Sequence, residues 1–288
     1  MKFITSDFVK SNLPKRPDDA NKGTMGTLLN ISGSYAMAGA CTLSSLGALR
    51  SGVGLLKVAL PKSIYPIVAS TVYEAVCLPL DDSDSGTVDI NSLDFLIDTA
   101  KNSSAVLLGC GLKLCDETTH FVKSFVTACN TPMVIDADGI NAVAMNIDVL
   151  NDSKADIVVT PHPKEMSRLT GLSVERIQKD RVEVAEKFAR KYSVTVVLKG
   201  KDTIVTDGVR TRINKTGNSG MAKGGSGDVL SGIIASLMAQ EVDSFEASCI
   251  GVYVHGFAGD LASNNLSRIS MLPRDIINHL PQAFKTLE

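Results

Sequence analysis

Short apolar runs separated by helix-length segments restrict the fold of this chain more than any other feature. Residues 194–198 read Val-Thr-Val-Val-Leu, a pattern typical of strands that are buried on both faces. Buried strands that alternate with helices predict an α/β fold, with a mostly parallel central sheet between helical layers. The predicted strands are 27–32, 55–60, 75–80, 105–108, 133–136, 157–160 and 194–198, followed by a hairpin of 203–206 and 210–214.

The clearest helix prediction covers residues 173–192. Ser173 is a suitable N-cap, and apolar residues then recur at helical spacing with Lys and Arg largely opposite. No linker, low-complexity tract or repeat divides the 288 residues, and the acidic stretch 81–86 reads only as a surface turn. We therefore predict one domain over residues 1–288.

Charge and composition exclude several classes of partner. Lys and Arg number 29 and Asp and Glu number 31, a net charge of −2, which gives no general affinity for nucleic acid or anionic membranes. No apolar run reaches the roughly 18 residues of a membrane span, and Asp7 precedes any apolar stretch that a secretory signal would need. We predict a soluble, cytoplasmic protein with neither nucleic-acid nor membrane partners.

The six cysteines are scattered along the chain and form no C-x-x-C pair. Cys110 and Cys115 have no second pair and no nearby His that would complete a zinc site. Most of the six lie in apolar stretches, so we predict reduced, buried thiols.

Residues suited to binding and catalysis follow directly after the predicted strands. In open α/β sheets, ligands bind beyond the carboxyl ends of the strands. Each segment at those ends carries Gly, Pro, His or a charge, which makes this edge the predicted site. The segments are 33–39, 109–111, 136–141, 161–165 and 199–202.

A glycine-rich stretch, residues 216–228, leads into an almost wholly apolar helix prediction over 229–239. The first turn of a helix leaves its N–H groups without partners, and glycines let an anion approach them. We predict a phosphate-binding turn here. Its predicted nucleotide-binding residues are Gly224, Gly225, Ser226 and Gly227.

Asp228 follows this turn, and its position allows two interpretations. It is either the N-cap of the helix or a carboxylate that accepts a proton from a substrate hydroxyl. In both cases the positive end of the helix should lower its pKa. A weak base beside a phosphate site suits phosphoryl transfer, in which positioning and charge neutralisation do most of the work.

The Gly-Ser-Gly-Asp motif at residues 225–228 resembles that of the ribokinase-like superfamily. Within it, the chain resembles the ADP- or ATP-dependent NAD(P)H-hydrate dehydratases, because further segments occur in family order over roughly residues 20–260. Those segments are 22–26, 33–54, 109–112, 136–141, 160–165, 197–200 and 214–232.

The resemblance implies a ribokinase-like three-layer sandwich and a reaction that repairs hydrated NADH or NADPH. A phosphoryl group from ADP or ATP, with Mg²⁺, would activate the added ring hydroxyl, and loss of phosphate would restore the cofactor. The resemblance favours ADP as the donor. It also implies a homotetramer, and a NAD(P)H-hydrate epimerase on a separate chain as the functional partner.

The resemblance also assigns site residues. For the hydrated dinucleotide they are Ala40, Gly111, His162 and Asp228, with Asp228 as the catalytic base. For the nucleotide they are Lys199, Gly200, Lys201, Asp202, Thr203 and Gly227, and Glu165 would hold Mg²⁺ through water.

Structural roles remain open for the same residues. Ala40 suits a helix start, Gly111 a turn, and His162 a structural hydrogen bond. The Lys199–Gly200 pair suits a solvated turn, and Glu165 suits the first turn of a helix.

Two departures from the family pattern concern the loops of the site. Ser32 stands where many relatives have glycine, and Lys164 replaces the glycine of a His-Pro-Gly-Glu segment. Two alternative functions remain. One is a hydroxyl kinase of the same superfamily, of the thiazole or hydroxymethylpyrimidine type, and the other is a non-catalytic nucleotide-binding regulator.

Overall fold

The structure of the protein is a computed structural model that describes residues 2–288; Met1, the first residue of the predicted domain, lies outside them. The strands are β1 (Lys2–Phe3), β2 (Thr27–Ile31), β3 (Leu55–Pro61), β4 (Val76–Leu80), β5 (Ala105–Leu108), β6 (Met133–Ile135), β7 (Ile157–Val159), β8 (Thr195–Leu198), β9 (Ile204–Thr206) and β10 (Thr211–Ile213). The helices are α1 (Ser6–Asn12), α2 (Ala38–Leu49), α3 (Tyr65–Ala69), α4 (Leu93–Lys101), α5 (Asp116–Ala128), α6 (Asp138–Met145), α7 (Val149–Asp152), α8 (Pro163–Thr170), α9 (Val174–Lys179), α10 (Arg181–Tyr192), α11 (Ser226–Ala239), α12 (Ser244–Asn265) and α13 (Pro273–Leu287).

All ten strands form one sheet in the order β1-β10-β9-β8-β7-β6-β5-β2-β3-β4. The seven strands from β8 to β4 run parallel, whereas β9 is antiparallel to both β8 and β10. Every predicted strand and the predicted hairpin are present, and the predicted mostly parallel sheet is confirmed. The two-residue strand β1 is too short to leave a pattern in the sequence.

Helices cover both faces of the sheet, and each face has its own hydrophobic cluster. Leu28 and Leu107 belong to the cluster beneath α2, α11, α12 and α13, whereas their neighbours Leu29 and Leu108 belong to the cluster beneath α4, α5 and α10. The strands read as uninterrupted apolar runs because both of their faces are buried. No helix within residues 2–288 combines the length and the apolar character needed to cross a bilayer.

The predicted helix over residues 173–192 is wrong in one respect, because it is two helices that meet at Asp180. This residue has φ −129° and ψ 45°, outside the helical region, and its carboxylate pairs with Arg176 at 2.9 Å. Ser173 caps α9 as expected, accepting a hydrogen bond from the Arg176 N–H. The break left the apolar pattern intact because Ile177 of α9 and Phe188 of α10 pack into the same cluster.

Helices α2 and α11 cross in direct backbone contact. A Cβ on Gly232 would overlap the carbonyl oxygen of Ser44, and a Cβ on Gly47 would lie 2.7 Å from the carbonyl oxygen of Val229. Only glycine at these two positions permits so close an approach. The contact fixes the position of α11, whose N-terminus lies at the carboxyl edge of the sheet.

Candidate active site

The parallel strands bring the residues that follow them to one edge of the sheet. Asp136 follows β6, His162 follows β7, and Lys199 follows β8, three strands that are neighbours in the sheet. A Cβ on Gly227, in the first turn of α11, would lie 3.4 Å from Lys199 Nζ and 3.8 Å from Asp136 Oδ2. The predicted site residues at 136, 199 and 227 are therefore brought together.

The glycine-rich turn ends in bare N–H groups at the start of α11. Gly225 is the N-cap, with φ +97°, a conformation in which glycine is favoured. The Ser226 N–H donates to the Lys223 carbonyl at 3.3 Å. The N–H groups of Gly227 and Asp228 have no acceptor among residues 2–288. Two such donors at the positive end of a helix dipole form a site for an anion.

Helix α12 holds the loop that precedes this turn. The Asp260 carboxylate accepts hydrogen bonds from the Gly217 N–H at 2.8 Å and from Asn218 Nδ2 at 3.0 Å. Asn218 Oδ1 in turn accepts from the Gly220 N–H at 2.9 Å. Backbone and side-chain bonds therefore fix the loop before any ligand binds, which lowers the entropy cost of ordering it.

A buried ion pair forms the floor of the site. Lys199 Nζ donates to Asp136 Oδ1 at 2.7 Å, and Ser231 Oγ donates to Asp136 Oδ2 at 2.5 Å. The Asp136 side chain is 1% exposed. Burial alone would raise the pKa of Asp136, but the Lys199 charge and these hydrogen bonds hold it below its usual value. Asp136 is therefore ionised.

Asp228 is the third residue of α11, and Gly225 occupies the N-cap position, so the N-cap interpretation is wrong. The expected lowering of its pKa is wrong as well. Burial, reinforced by the negative charge of Asp136, raises the pKa of Asp228 to about 7, against the opposing effects of Cys110 and Lys199. Loss of solvation is the largest cause of the shift. Asp228 thus has the proton affinity of a general base that works at neutral pH.

His162 and Glu165 form a capping box at the start of α8. His162 Nδ1 accepts from the N–H groups of Lys164 and Glu165, both at 3.1 Å, and Glu165 Oε2 accepts from the His162 N–H at 2.7 Å. Because Nδ1 is an acceptor, the proton of the neutral imidazole lies on Nε2. Both residues thus have the structural roles that the sequence allowed, while the His162 side chain stays 45% exposed and accessible to a ligand.

Glu165 also interacts with the buried ion pair. Its Oε2 lies 3.8 Å from Lys199 Nζ, and its side chain is 6% exposed. Burial raises the pKa of Glu165, although the Lys199 charge opposes the shift. Lys199 is thus one cation shared between Asp136 and Glu165.

Ala40 and Gly111 lie in contact at the same edge of the sheet. Gly111 has φ +66°, and a Cβ there would lie 2.7 Å from the Ala40 Cβ and 3.0 Å from the Met37 Cβ. Ala40 is in the first turn of α2 and Gly111 follows β5. Ala40 and Gly111 are far apart in sequence, and the resemblance assigns both to the hydrated dinucleotide. In the structure they form one wall of the candidate site.

Residues 201–203 lie beside a different opening of the protein. Asp202 pairs with Lys215 at 2.9 Å, and Thr203 Oγ1 donates to the Gly200 carbonyl at 2.8 Å. Lys201 and Asp202 line an open cleft of about 490 Å³ against the N-terminal half of α10. Asp228 does not line this cleft.

Two buried polar atoms near the turn have no partner: Ser226 Oγ and His255 Nε2. Burial lowers the pKa of His255 to about 4, although a hydrogen bond to the Ser226 backbone opposes the shift. His255 is therefore neutral at physiological pH. Gly224 has no atom within 4 Å of a Cβ built on it, so that side of the turn is open.

Sequence reasoning missed two groups of this site. All six cysteines are unpaired as expected, and four of them are buried, but Cys110 lies close to the carboxylates of Asp136 and Asp228. Ser231, one helical turn after Gly227, holds Asp136. The position of Cys110 two residues after the end of β5 was the available signal, because that segment was already part of the predicted edge.

The fold and this site define a ribokinase-like α/β protein in which a helix N-terminus, able to bind an anion, lies beside a buried carboxylate. The hydroxyethylthiazole kinase of Pyrococcus horikoshii shares the fold, with a TM-score of 0.66 at 17% identity over 99% of this chain and 97% of that one. A family model described as NAD(P)H-hydrate dehydratase matches residues 28–282. The chain belongs to the NAD(P)H-hydrate dehydratase family.

Individual relatives agree with this assignment. The ADP-dependent (S)-NAD(P)H-hydrate dehydratase of Bacillus subtilis is 32% identical over 99% of this chain and 99% of its own length. A crystal structure of the ADP/ATP-dependent dehydratase from that organism, co-crystallised with ATP/Mg²⁺, has a TM-score of 0.84 at 29% identity over 100% and 99% of the two chains.

Other relatives are about twice as long. The bifunctional NAD(P)H-hydrate repair enzyme Nnr of Moorella thermoacetica is 37% identical over 100% of this chain but only 54% of its own length. The chain therefore spans about half the length of the bifunctional relatives that it matches.

Proposed function

We propose that the protein is a nucleotide-dependent NAD(P)H-hydrate dehydratase, a hydro-lyase that regenerates NADH or NADPH from the hydrated forms. One observation carries the proposal: the bare N–H groups at the start of α11 lie beside the buried carboxylate of Asp228 and the Lys199–Asp136 pair. This arrangement offers an anion site, a cation and a base at one place. The names of the Bacillus subtilis relatives supply the substrate class.

In the proposed reaction, Asp228 accepts the proton of the hydroxyl that hydration added to the nicotinamide ring. The hydroxyl oxygen forms a bond to phosphorus as the nucleotide's own P–O bond breaks. The ring C–O bond of the resulting phosphate ester then breaks with help from the ring nitrogen lone pair and phosphate leaves, and loss of a neighbouring ring proton restores the double bond. A pKa of about 7 suits Asp228 to the first proton transfer.

The other residues of the edge bind and orient the substrates. The N–H groups of Gly227 and Asp228 would hold the transferred phosphoryl group, with Gly224, Gly225 and Ser226 completing the turn. Lys199 would add its positive charge there. The wall of Ala40 and Gly111, together with His162, would receive the hydrated dinucleotide.

The turn that begins at Lys199 would hold the rest of the nucleotide. Gly200, Lys201, Asp202 and Thr203 connect the Lys199–Asp136 pair to the cleft of about 490 Å³. A nucleotide whose phosphates lie at α11 would therefore extend its nucleoside towards this cleft. We propose ADP as the preferred donor, in keeping with the name of the Bacillus subtilis relative.

Glu165 fits a magnesium ion held through water. It is a hard oxygen donor beside the proposed phosphate site, and proteins commonly hold Mg²⁺ with one or two carboxylates, water and substrate phosphates. Bound there, Mg²⁺ would neutralise phosphate charge. The group of Cys110, Asp136 and Asp228 is the less suitable set, because it includes a soft thiol and because both oxygens of Asp136 already accept hydrogen bonds.

A direct assay tests the proposal. Purified protein is mixed with hydrated NADH and either ADP or ATP, and the return of reduced-nicotinamide absorbance is followed; we expect recovery, faster with ADP. Phosphorylation of a thiazole or hydroxymethylpyrimidine alcohol without recovery would make the protein a kinase instead. Nucleotide binding with no turnover of any substrate would make it a regulator.

We also propose that residues 1–288 form one domain, because all ten strands described belong to one sheet. A cytoplasmic location agrees with six unpaired cysteines. The homotetramer stays a prediction, which light scattering coupled to size-exclusion chromatography tests. An epimerase on a separate chain likewise stays a prediction.

A further inference from the structure

Arg181 contacts the turn that begins at Lys199, although the proposed reaction does not use it. It is the first residue of α10, and its Nη2 donates to the carbonyl oxygens of Leu198 at 3.0 Å and of Lys199 at 3.4 Å. Its Nη1 donates to Gln178 Oε1 at 3.2 Å. One guanidinium group therefore holds two consecutive carbonyls at the end of β8 and is itself held by α9.

Gly200 leaves room for this guanidinium group. Its φ is +140°, and a Cβ built on it would lie 2.7 Å from Arg181 Nη1 and 3.2 Å from Arg181 Nη2. Glycine is favoured here for two reasons, the backbone conformation and the space that the guanidinium fills. The shape of the turn and the position of Arg181 therefore depend on each other.

The charge of Arg181 suits a residue that binds backbone carbonyls. The side chain is half-buried, and burial lowers the pKa of Arg181, although the negative charge of Asp202 in the same turn opposes the shift. The guanidinium group stays protonated because it is the most basic side chain of proteins. Its planar array of donors can bond two carbonyl groups in a fixed geometry, which a lysine ammonium group does not provide.

We propose that Arg181 is a positioning residue for the nucleotide-binding turn: its hydrogen bonds fix where Lys199 meets Asp136 and the direction in which residues 200–203 leave the sheet. The inference rests on the proposed function, in which this turn holds the nucleotide. Arg181 begins a helix that packs on one face of the sheet, whereas the anion-binding N–H groups begin α11 on the other face. It therefore acts on the nucleotide through the turn.

A second arginine of α10 provides a matched control. Arg190 Nη1 donates to the Gly208 carbonyl at 3.1 Å, and a Cβ on Gly208 would lie 2.5 Å from Arg190 Cγ. Gly208 lies in the hairpin turn between β9 and β10, which contains no predicted site residue. Both arginines thus hold a turn that contains glycine, and only the turn held by Arg181 carries nucleotide-binding candidates.

The first test compares Arg181→Met, Arg181→Lys and Arg190→Met by calorimetric titration with ADP. Arg181→Met removes the donors and keeps a long apolar side chain, so the Kd for ADP should rise about tenfold, as loss of one hydrogen bond from a charged group would give. Arg181→Lys keeps the charge without the planar donors, and its Kd should rise about threefold. Arg190→Met should match the wild type. In steady-state assays Arg181→Met should raise the KM for ADP and leave the KM for hydrated NADH unchanged.

Hydrogen exchange separates positioning from direct contact with the nucleotide. Without ligand, peptides that cover residues 198–204 should exchange about tenfold faster in Arg181→Met than in the wild type or in Arg190→Met. A weaker Kd with unchanged exchange would mean that Arg181 contacts the nucleotide itself, and it would overturn the proposal. An unchanged Kd with equal losses of melting temperature in Arg181→Met and Arg190→Met would overturn it as well, because Arg181 would then be purely structural.

The titration and the exchange measurement need no turnover, so the two proposals can fail separately. Weaker ADP binding and faster exchange in Arg181→Met, in a protein that does not dehydrate hydrated NADH with either nucleotide, would refute the proposed function and support the role of Arg181. An active dehydratase in which Arg181→Met binds ADP as tightly as the wild type would refute the role of Arg181 alone.

Discussion

Two clusters of charge in this protein are built from similar residues but behave in opposite ways. On the surface, Arg210 contacts Asp207 at 2.6 Å, Asp243 at 3.1 Å and Glu246 at 2.7 Å, and its own side chain is 45% exposed. At the sheet edge, Lys199 is 18% exposed and faces the buried carboxylates of Asp136 and Glu165.

The difference lies in solvent access and in the number of hydrogen bonds per carboxylate. Burial alone would raise the pKa of Asp207, but hydrogen bonds and the charge of Arg210 hold it below its usual value. In the cluster at the sheet edge (Asp136, Glu165, Lys199 and Asp228), the Lys199 charge and hydrogen bonds hold the pKa of Asp136 below its usual value. The pKa values of Glu165 and Asp228 stay raised. Asp207 of the surface cluster therefore holds its charge more firmly than a free carboxyl does, whereas Asp228 at the sheet edge, with a pKa of about 7, can exchange a proton near neutral pH.

The largest effect should come from Asp228→Asn, which removes the proposed base and keeps the shape of the side chain. We expect turnover of hydrated NADH to fall by about 10³-fold, with nucleotide affinity largely intact by calorimetric titration. Asp207→Asn, in the surface cluster, is the matched control and should keep normal turnover. Near-normal rates in Asp228→Asn would remove Asp228 as the base and make the two clusters equivalent.

Lys199→Met should have the next largest effect, this time on stability. The substitution leaves the Asp136 carboxylate buried with no cation, which we expect to cost about 3 kcal/mol of unfolding free energy. Urea unfolding at pH 7 measures it. A loss below about 1 kcal/mol would mean that the edge cluster is no more dependent on its cation than a surface pair.

Asp228→Asn should also change the pH dependence of stability. The folded-state pKa of Asp228, about 7, lies above its usual value of 3.8, so the wild type is stabilised by the protonated form and loses that stability as the pH rises from about 4 to 7. At pH 8 the Asn variant should be more stable by about 2 kcal/mol, roughly half of what three pKa units would give. At pH 4 the two should unfold alike; a constant difference between pH 4 and pH 8 would contradict the raised pKa.

Arg210→Met should have the smallest effect. Exposed ion pairs contribute little, so we expect a loss of about 1 kcal/mol by the same urea unfolding at pH 7 and no change in turnover. High salt should reduce the difference between variant and wild type, because solvent ions screen exposed charges. A loss as large as that of Lys199→Met would show that solvent access does not distinguish the clusters.

The sheet could be predicted from the sequence because its strands are buried on both faces and therefore lack alternation. The site edge followed from topology alone, since Asp136 and Lys199 come directly after strands and His162 lies three residues beyond the end of β7. The break at Asp180 escaped prediction because the apolar pattern continues through it. The proton affinity of Asp228 also escaped, because it depends on burial and on Asp136, 92 positions earlier in the chain.

The backbone contact between α2 and α11 has a consequence for how this site can evolve. Ala40 is carried by the first of these helices and Asp228 by the second, and the paired glycines at 47 and 232 leave no side chain between them. Small substitutions therefore cannot adjust the gap between Ala40, in the proposed dinucleotide wall, and Asp228, the proposed base, step by step. A descendant adapted to a bulkier molecule would have to remodel the loops around the opening, or displace an entire helix at once.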